Sequence, residues 1–445
     1  MSSSEWDGRR LHFVGIGGAG MSGLALLAQS MGATVSGSDR AASPYLERVL
    51  AAGIDARIGH DASNVPAGDD VEVVVSTAIA AENAERVAAR ERGLREVHRG
   101  ELLGELSRLR RTLSVGGTHG KTTTASMAAH ALLALGWDPS YVIGGELRTT
   151  QTNAACGAGE WLVVEADESD RSFLHLRSEI AVVTNIELDH HTTYGSYPEL
   201  ERAFAQFLCH GLRRVVADTP EAEAFLDRVG IVEAAFFGAT EIELHANGSR
   251  FVWAGQQVEL SNSGVHNVAN ATAALTACVI AGAHPKALAG TLVDFAGVGR
   301  RFEWLGETAS GALVVDDYAH HPTELRATIH AARTLGRRRI VAAFQPHLFS
   351  RTELLAREFG AALALADVAV VLDVYPSRER AKDFPGVTGL LVAEAAADAG
   401  RGRQIAWAQD FDAAERVLRA ALRPGDLCLV MGAGNIDELG RRLVA

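Results

Sequence analysis

An apolar run, Leu113 to Val115, leads into Gly116-Gly117-Thr118-His119-Gly120-Lys121-Thr122-Thr123, and a helix-like run continues from Thr122 to Leu135. A strand that ends in glycines and a lysine and turns at once into a helix leaves few folds open. The turn offers bare backbone N–H groups beside the positive end of a helix, a lysine to reach outer phosphates and a hydroxyl for a metal. It reads as a phosphate loop at the end of a strand in an α/β sheet. The general spacing G-x-x-x-x-G-K-[ST] would place its first glycine at Val115, so the shorter Gly-Thr-His-Gly-Lys-Thr form marks a subclass. Lysine is also rare here: Lys121, Lys286 and Lys382 are the only three, and every other basic residue is arginine. Beside phosphate, lysine acts as a compact point charge and arginine as a wide planar fork.

Glycine-rich turns recur upstream. Leu11 to Val14 reads as a strand, followed by Gly15-Ile16-Gly17-Gly18-Ala19-Gly20, a helix from Met21 to Met31 and a second strand, Thr34 to Gly37, that ends at Ser38-Asp39. Gly15, Gly17 and Gly20 satisfy G-x-G-x-x-G, and Asp39 follows at about the expected interval of 20 residues. The pattern suits a diphosphate at a helix N-terminus with an acid on a ribose or base, which NAD and a UDP-sugar share. A further strand, Val71 to Val75, runs into Ser76-Thr77-Ala78-Ile79.

Downstream, Trp161 to Val164 ends in Glu165-Ala166-Asp167-Glu168, and Ile180 to Val183 ends in Thr184-Asn185-Ile186-Glu187-Leu188-Asp189-His190-His191. Carboxylates beside a phosphate loop suit Mg2+, which favours oxygen ligands. Glu241 to Leu260 alternates like a hairpin around Asn247-Gly248. Asn267 and Asn270 share one face at the start of an alanine-rich helix, where they suit either an adenine edge or a cap. Arg300 and Arg301 follow a flexible turn. The last third again alternates strands and helices. Three of its strand ends carry polar clusters: Asp316-Asp317-Tyr318-Ala319-His320-His321-Pro322, Gln345-Pro346-His347-Leu348-Phe349-Ser350-Arg351 and Gly432-Ala433-Gly434-Asn435. Clusters at strand carboxyl ends point to one crevice.

At 445 residues, a prior of about 150 per domain gives three domains. The expected division is residues 1–108 for a Rossmann-like domain with a diphosphate-type ligand, 109–307 for a P-loop ATPase-like domain and 308–445 for a second Rossmann-like α/β domain. A net charge of −13 gives no overall attraction to nucleic acid or anionic membrane. The N-terminus has no apolar signal region, no apolar run would span a bilayer, and four scattered cysteines suit a reducing compartment, so a cytoplasmic protein is expected.

These motifs, in this order and over nearly the whole chain, resemble the Mur ligase family of peptidoglycan biosynthesis. The resemblance implies ATP-dependent ligation of L-alanine to the carboxylate of UDP-N-acetylmuramate through an acyl phosphate, by a monomer or homodimer. It implies an ATP site at Gly117, Thr118, His119, Gly120, Lys121, Thr122 and Thr123, with Asn267 and Asn270 on adenine, Arg301 on the γ-phosphate and Asp317 reaching ATP from the last domain. Thr122, Glu165 and His190 look like the magnesium set. Gly17, Gly18, Asp39, Thr77 and Ala78 look like the UDP side. His320, His347 and Arg351 look like the group around alanine and the muramoyl end, so that Lys121, His190, His320 and Arg351 carry the chemistry. Two positions depart from the family pattern. Many members carry a carbamylated lysine after the Asp-His pair, and this chain has no lysine between Lys121 and Lys286, as in the alanine-adding branch. A common form has arginine after Gln-Pro-His, where this chain has Leu348. The alternatives are a related ligase that attaches a recycled tripeptide, an NAD-type dehydrogenase on the first region alone, and a nucleotide-dependent binding module.

Overall fold

The computed structural model describes residues 6–189, 193–245, 248–336 and 339–445. The chain divides into two compact units: Met1–Glu241 with Phe251–Leu260 and Asn267–Ala296, and Ile242–Arg250 with Ser261–His266 and Gly297–Ala445.

The first unit holds two large sheets. β1 (Arg10–Val14), β2 (Thr34–Asp39), β3 (Asp55–Ile58), β4 (Val71–Val75) and β5 (Glu96–His98) form one, in the order β3-β2-β1-β4-β5. All its pairings are parallel. The second contains β6 (Arg111–Gly116), β7 (Ser140–Leu147), β8 (Thr152–Ala155), β9 (Trp161–Glu165), β10 (Ile180–Val183), β11 (Arg213–Ala217) and β12 (Ala235–Phe237), in the order β12-β11-β10-β6-β9-β7-β8. Only its edge pair β7–β8 runs antiparallel. Central strands covered on both faces favour apolar side chains, which is why β10 is a plain apolar run and β9 is apolar up to Glu165 at its carboxyl end. One apolar core joins the two sheets: Leu24 and Leu102 from the first region pack in the same cluster as Val142, Ala154, Phe173 and Leu176 from the second.

The expected hairpin is a three-stranded sheet of β13 (Thr240–His245), β14 (Gly248–Trp253) and β15 (Gln256–Leu260). Asn247, the expected turn residue, lies outside the described residues. The second turn takes positive φ at both Ala254 (49°) and Gly255 (72°), as a tight hairpin turn needs.

The second unit carries β16 (Glu303–Glu307), β17 (Leu313–Asp317), β18 (Ile340–Phe344), β19 (Val368–Leu372), β20 (Gln404–Ala408) and β21 (Leu427–Met431), in the order β16-β17-β21-β18-β19-β20. β16 is an antiparallel edge strand on β17, so residues 303–307 belong to this sheet rather than to the central region. Cores cover both of its faces, around Phe344, Phe359 and Leu429 on one and around Val341, Val370 and Val430 on the other. All four cysteines are free thiols.

A buried polar knot braces the first sheet. Glu85 is fully buried and accepts from His12 Nε2 (2.9 Å), the Ser38 hydroxyl (2.7 Å) and Asn64 Nδ2 (3.1 Å). Burial would raise its pKa, but these hydrogen bonds outweigh burial and bring it down to about 2. The folded pKa lies below the unfolded one, so Glu85 stabilises the fold above about pH 4.5, and that contribution is lost as pH falls toward about 2. Glu85→Gln is therefore expected to cost about 3 kcal/mol at pH 7. Urea unfolding of both proteins at pH 7 and pH 3 checks this. The gap should narrow at the lower pH, and a gap that stays constant would refute the ionic role.

Candidate active site

β1 and β4 are neighbours at the point where the first sheet's order reverses, the place where open α/β sheets bind ligands at their strand carboxyl ends. Gly15, at φ 84°, turns the chain out of β1. The Gly15 and Ile16 N–H groups both donate to the Ser38 carbonyl, at 2.8 and 2.9 Å. The Gly17 N–H donates to the Asp39 carboxylate (2.8 Å), and the Ser43 hydroxyl donates to the Gly17 carbonyl (2.9 Å). Asp39 thus shapes the loop itself. The helix Ala19–Ser30 begins at Gly18 with no side chain capping its N–H groups, which leaves its positive end open to an anion. Thr77 and Ala78 are exposed in the turn after β4.

The second loop lies between β6 and the helix Lys121–Ala134. Gly117 adopts φ 128° and Gly120 φ 80°. A Cβ on Gly117 would overlap Thr184 Oγ1, and one on Gly120 would overlap Asn270 Oδ1. Thr184, at the end of β10, donates to the His119 carbonyl (2.6 Å), and Asn185 Oδ1 accepts from the His119 N–H (2.9 Å). The Thr118 hydroxyl donates to the Glu187 carbonyl (2.9 Å), and His119 Nε2 lies 3.0 Å from a Glu187 carboxylate oxygen. The loop is thus braced along the strand end of β10. Thr123 is half-buried in the first turn of the helix.

Lys121 Nζ donates to the carbonyls of Gly117 (2.7 Å) and Thr118 (3.0 Å) and pairs with Glu168 at 2.9 Å. Burial alone would lower the lysine pKa. The carboxylates of Glu168, Asp167 and Glu165 outweigh burial and raise it, so the lysine keeps its charge. The Thr122 hydroxyl donates to Glu165 Oε1 (3.0 Å), while Glu165 Oε2 accepts from the Gly144 N–H (2.7 Å). A hydroxyl and a carboxylate side by side are hard oxygen donors of the kind Mg2+ takes, so Thr122 and Glu165 fit the ion. His190, the third expected ligand, lies outside the described residues. Asn270 is buried, and its Oδ1 accepts from the Thr124 hydroxyl (3.2 Å). Asn267 is buried one turn earlier on the helix Val265–Ile280.

A cavity of about 190 Å3 runs from the first glycine loop to Glu165, the partner of Thr122. Its wall includes Ala19 and Gly20 from the first glycine loop, Gly144, Glu165 and Asp167 from the second sheet, and Arg99. The guanidinium of Arg99 bonds to Asp167 (2.7 Å) and Asp170 (2.9 Å). Burial raises the Asp167 pKa, but the positive charge of Arg99 and Lys121 outweighs it and holds the carboxyl well below the usual carboxylate range. Arg99 did not stand out as a site residue in the sequence, and Glu168 entered only as part of the carboxylate run after β9. Their partners lie 47 to 71 positions away, and no local motif records that pairing.

In the second unit, the ends of β17, β21 and β18 are adjacent. Asp317 is buried and accepts from the N–H groups of Phe302 and Ala319, both at 2.8 Å. Burial raises its pKa, against the pull of Arg301. The two arginines divide their tasks. Arg300 bonds to Asp316 (3.1 Å) and to the carbonyls of Gly432 and Gly434 (both 2.8 Å), so it ties two strand ends together. Arg301 lies over the Tyr318 ring at 5.2 Å. The rings of His320 and His347 approach to 6.1 Å, and His347 stacks on Tyr375 at 5.8 Å. Arg351 is buried two residues into the helix Phe349–Leu363. His321 and Glu324 form a capping box for the helix Pro322–Thr334. Leu348, where the family form has arginine, is buried at φ 68°, and its N–H donates to the Tyr375 carbonyl (3.0 Å).

Residues 10–111 match the family model described as Mur ligase family, catalytic domain; residues 115–278 match the Mur ligase middle domain, and residues 300–434 the Mur ligase, glutamate ligase domain. A UDP-N-acetylmuramate–L-alanine ligase of Kineococcus radiotolerans is 46% identical over 97% of this chain and 94% of its own. The ligase of the same name from Streptomyces avermitilis is 42% identical over 98% and 97%. Among solved structures, UDP-N-acetylmuramate-alanine ligase from Thermotoga maritima superposes with a TM-score of 0.82 at 28% identity and 98% coverage of both chains. A murein peptide ligase from Psychrobacter arcticus reaches 0.73 at 26% identity, with the same coverage.

Proposed function

Because the chain belongs to the Mur ligase family, we propose that it joins L-alanine to the lactyl carboxylate of UDP-N-acetylmuramate, converting ATP to ADP and phosphate. The tripeptide-attaching and dehydrogenase alternatives are not favoured, since full-length relatives at 42 to 46% identity carry the alanine-ligase name. The observation that carries the reading is the single cavity shared by the diphosphate-type helix end at Ala19–Gly20 and by Glu165 beside the phosphate loop. A UDP-sugar held at one end would present its carboxylate at the other.

In this reading the carboxylate oxygen attacks the γ-phosphorus of ATP and ADP leaves. The amine of alanine then attacks the acyl carbon, and the tetrahedral adduct collapses to amide and phosphate as the amine loses its proton. Lys121 draws charge from the β- and γ-phosphates, a role its raised pKa secures. The N–H groups of the loop and of the first turn of the helix Lys121–Ala134 orient the phosphates. Thr122 and Glu165, with His190, would hold Mg2+, which supplies charge neutralisation between carboxylate and phosphate. Asn267 and Asn270 are assigned to the adenine side and Arg301 with Asp317 to the ATP side of the second unit. Gly17, Gly18, Asp39, Thr77 and Ala78 are assigned to UDP, and His320, His347 and Arg351 to alanine and the muramoyl end. The division into residues 1–108, 109–307 and 308–445 follows these tasks, with 303–307 joining the last sheet. We place the reaction in the cytoplasm, where ATP is supplied; no helix of the described residues is long and apolar enough to cross a membrane.

The test is phosphate release from ATP with UDP-N-acetylmuramate and a panel of amino acids and murein tripeptide. Alanine should give the highest turnover, and a preference for tripeptide would overturn the assignment. Arg351→Ala should raise the KM for alanine by about tenfold or more, the loss of a charge-assisted contact, and leave that for ATP within about twofold. Equal effects on both substrates would remove Arg351 from the alanine side.

A further inference from the structure

The wall of the 190 Å3 cavity contains one cationic side chain, Arg99, and two carboxylates, Glu165 and Asp167. An anionic substrate group entering this space meets like charge from both acids, and Arg99 is the lining side chain that can attract it. Its fork is only partly used by the protein. Nη2 holds Asp167 and Asp170, and Nε points to Asp170 at 3.3 Å. Nη1 donates to no acceptor among the described residues, and a side-chain carbon at Gly20 would sit 3.3 Å from it. Nη1 therefore lies beside the first turn of the helix Ala19–Ser30, on the side of the cavity that faces the glycine loop.

We infer that Arg99 is a substrate-binding residue whose free Nη1 takes the lactyl carboxylate of the UDP-sugar and delivers it to the Glu165 end of the cavity. This rests on the ligase reading above. The pair of bonds to Asp167 and Asp170 fixes the plane of the fork, so the remaining N–H vectors are preset rather than searched for. Burial opposes the charge on Arg99, but the carboxylates of Asp167 and Asp170 outweigh it and push the guanidinium pKa higher still, so the cation persists at any working pH. Gly20 leaves room for the approach, since any side chain there would crowd Nη1.

The alternative is that Arg99 is only a staple between the two sheets of the first unit. Calorimetric titration of the full-length protein with UDP-N-acetylmuramate and with UDP-N-acetylglucosamine separates the two. The second ligand has the same diphosphate and a sugar without the lactyl carboxylate. Arg99→Ala should weaken UDP-N-acetylmuramate by about 30-fold or more and UDP-N-acetylglucosamine by less than about threefold, the size expected of a lost charge-assisted contact. Parallel weakening of both ligands, or of neither, would overturn the inference. If Arg99→Ala does not fold, Arg99→Lys decides. It keeps the charge and loses the fork, so the preference for the carboxylate-bearing ligand should fall about fivefold, and an unchanged preference overturns the proposal. A wild-type protein with no preference between the ligands would overturn the ligase reading and this inference together, whereas a wild-type preference that survives in the variants removes Arg99 alone.

Discussion

Lys121→Ala should lose about a thousandfold or more in turnover, because a preorganised charge facing a transferring phosphoryl group is among the largest single contributions to catalysis. The side chain is held by three acceptors: two loop carbonyls and Glu168. Removing it deletes the cation that faces the phosphates. It also leaves the Glu168 side chain, 1% exposed, without its lysine beside Asp167 and Glu165. Lys121→Arg should rescue little, since a planar fork cannot reach two carbonyls and a carboxylate in the space of a compact ammonium. The UDP-sugar end lies on the first sheet and should be untouched. The check is phosphate release together with UDP-N-acetylmuramate titration of the same variant. Near-normal turnover would end the phosphate-loop assignment, and loss of UDP-sugar binding would show that the damage had spread through the unit.

The second large effect is expected at Gly117. Its φ of 128° is reserved for glycine, and a Cβ would overlap Thr184 Oγ1 and sit 2.9 Å from the Thr184 N. Gly117→Ala must therefore push the loop away from the end of β10, where Thr184 and Asn185 hold the His119 carbonyl. ATP affinity should fall about a hundredfold or more as the loop N–H groups lose their common aim. Thr184→Ala added to it should not restore binding, because the clash with the backbone N and the strained φ both remain. Titration with a non-hydrolysable ATP analogue measures this, and a loss below about threefold would mean that the loop tolerates the shift.

The parts of the fold that were legible in the sequence are those whose physics is local. Ile180–Val183, Ile340–Phe344 and Val368–Leu372 are strands at the residues where their apolar runs begin and end, because strands buried on both faces have no polar positions to blur them. Edge strands were harder to read. Glu303–Glu307 is mostly exposed and three of its five residues are charged or glycine, so Trp304 and Leu305 leave only a short apolar signal. β7, one strand in from the edge, contains Gly144-Gly145 and looks like a loop, yet its glycine N–H holds Glu165. In the site, Lys121, Thr122 and Glu165 come together as the motifs suggested. What the motifs could not supply was pairing across the fold, such as Lys121 with Glu168 or Arg99 with Asp167. His119, which the resemblance places in the ATP loop, also meets Glu187.

The order of strands in the second sheet also sets a clock. The phosphate loop follows β6, but the neighbours of β6 are β9 and β10, and Asn270, which packs against Gly120 and Thr124, comes 146 residues after Thr124. At a synthesis rate of roughly 5–20 residues per second, the ribosome needs about 7 to 30 s to produce that asparagine after the loop. Until then Gly120 has no wall to lean on, even once Thr184 has arrived beside Gly117, and the cradle for a nucleotide is incomplete. ATP therefore cannot serve as an early nucleus for folding. Nucleotide capture instead reports that the first unit has closed, and the same non-local pairing that makes the cradle rigid makes it one of the last parts to form.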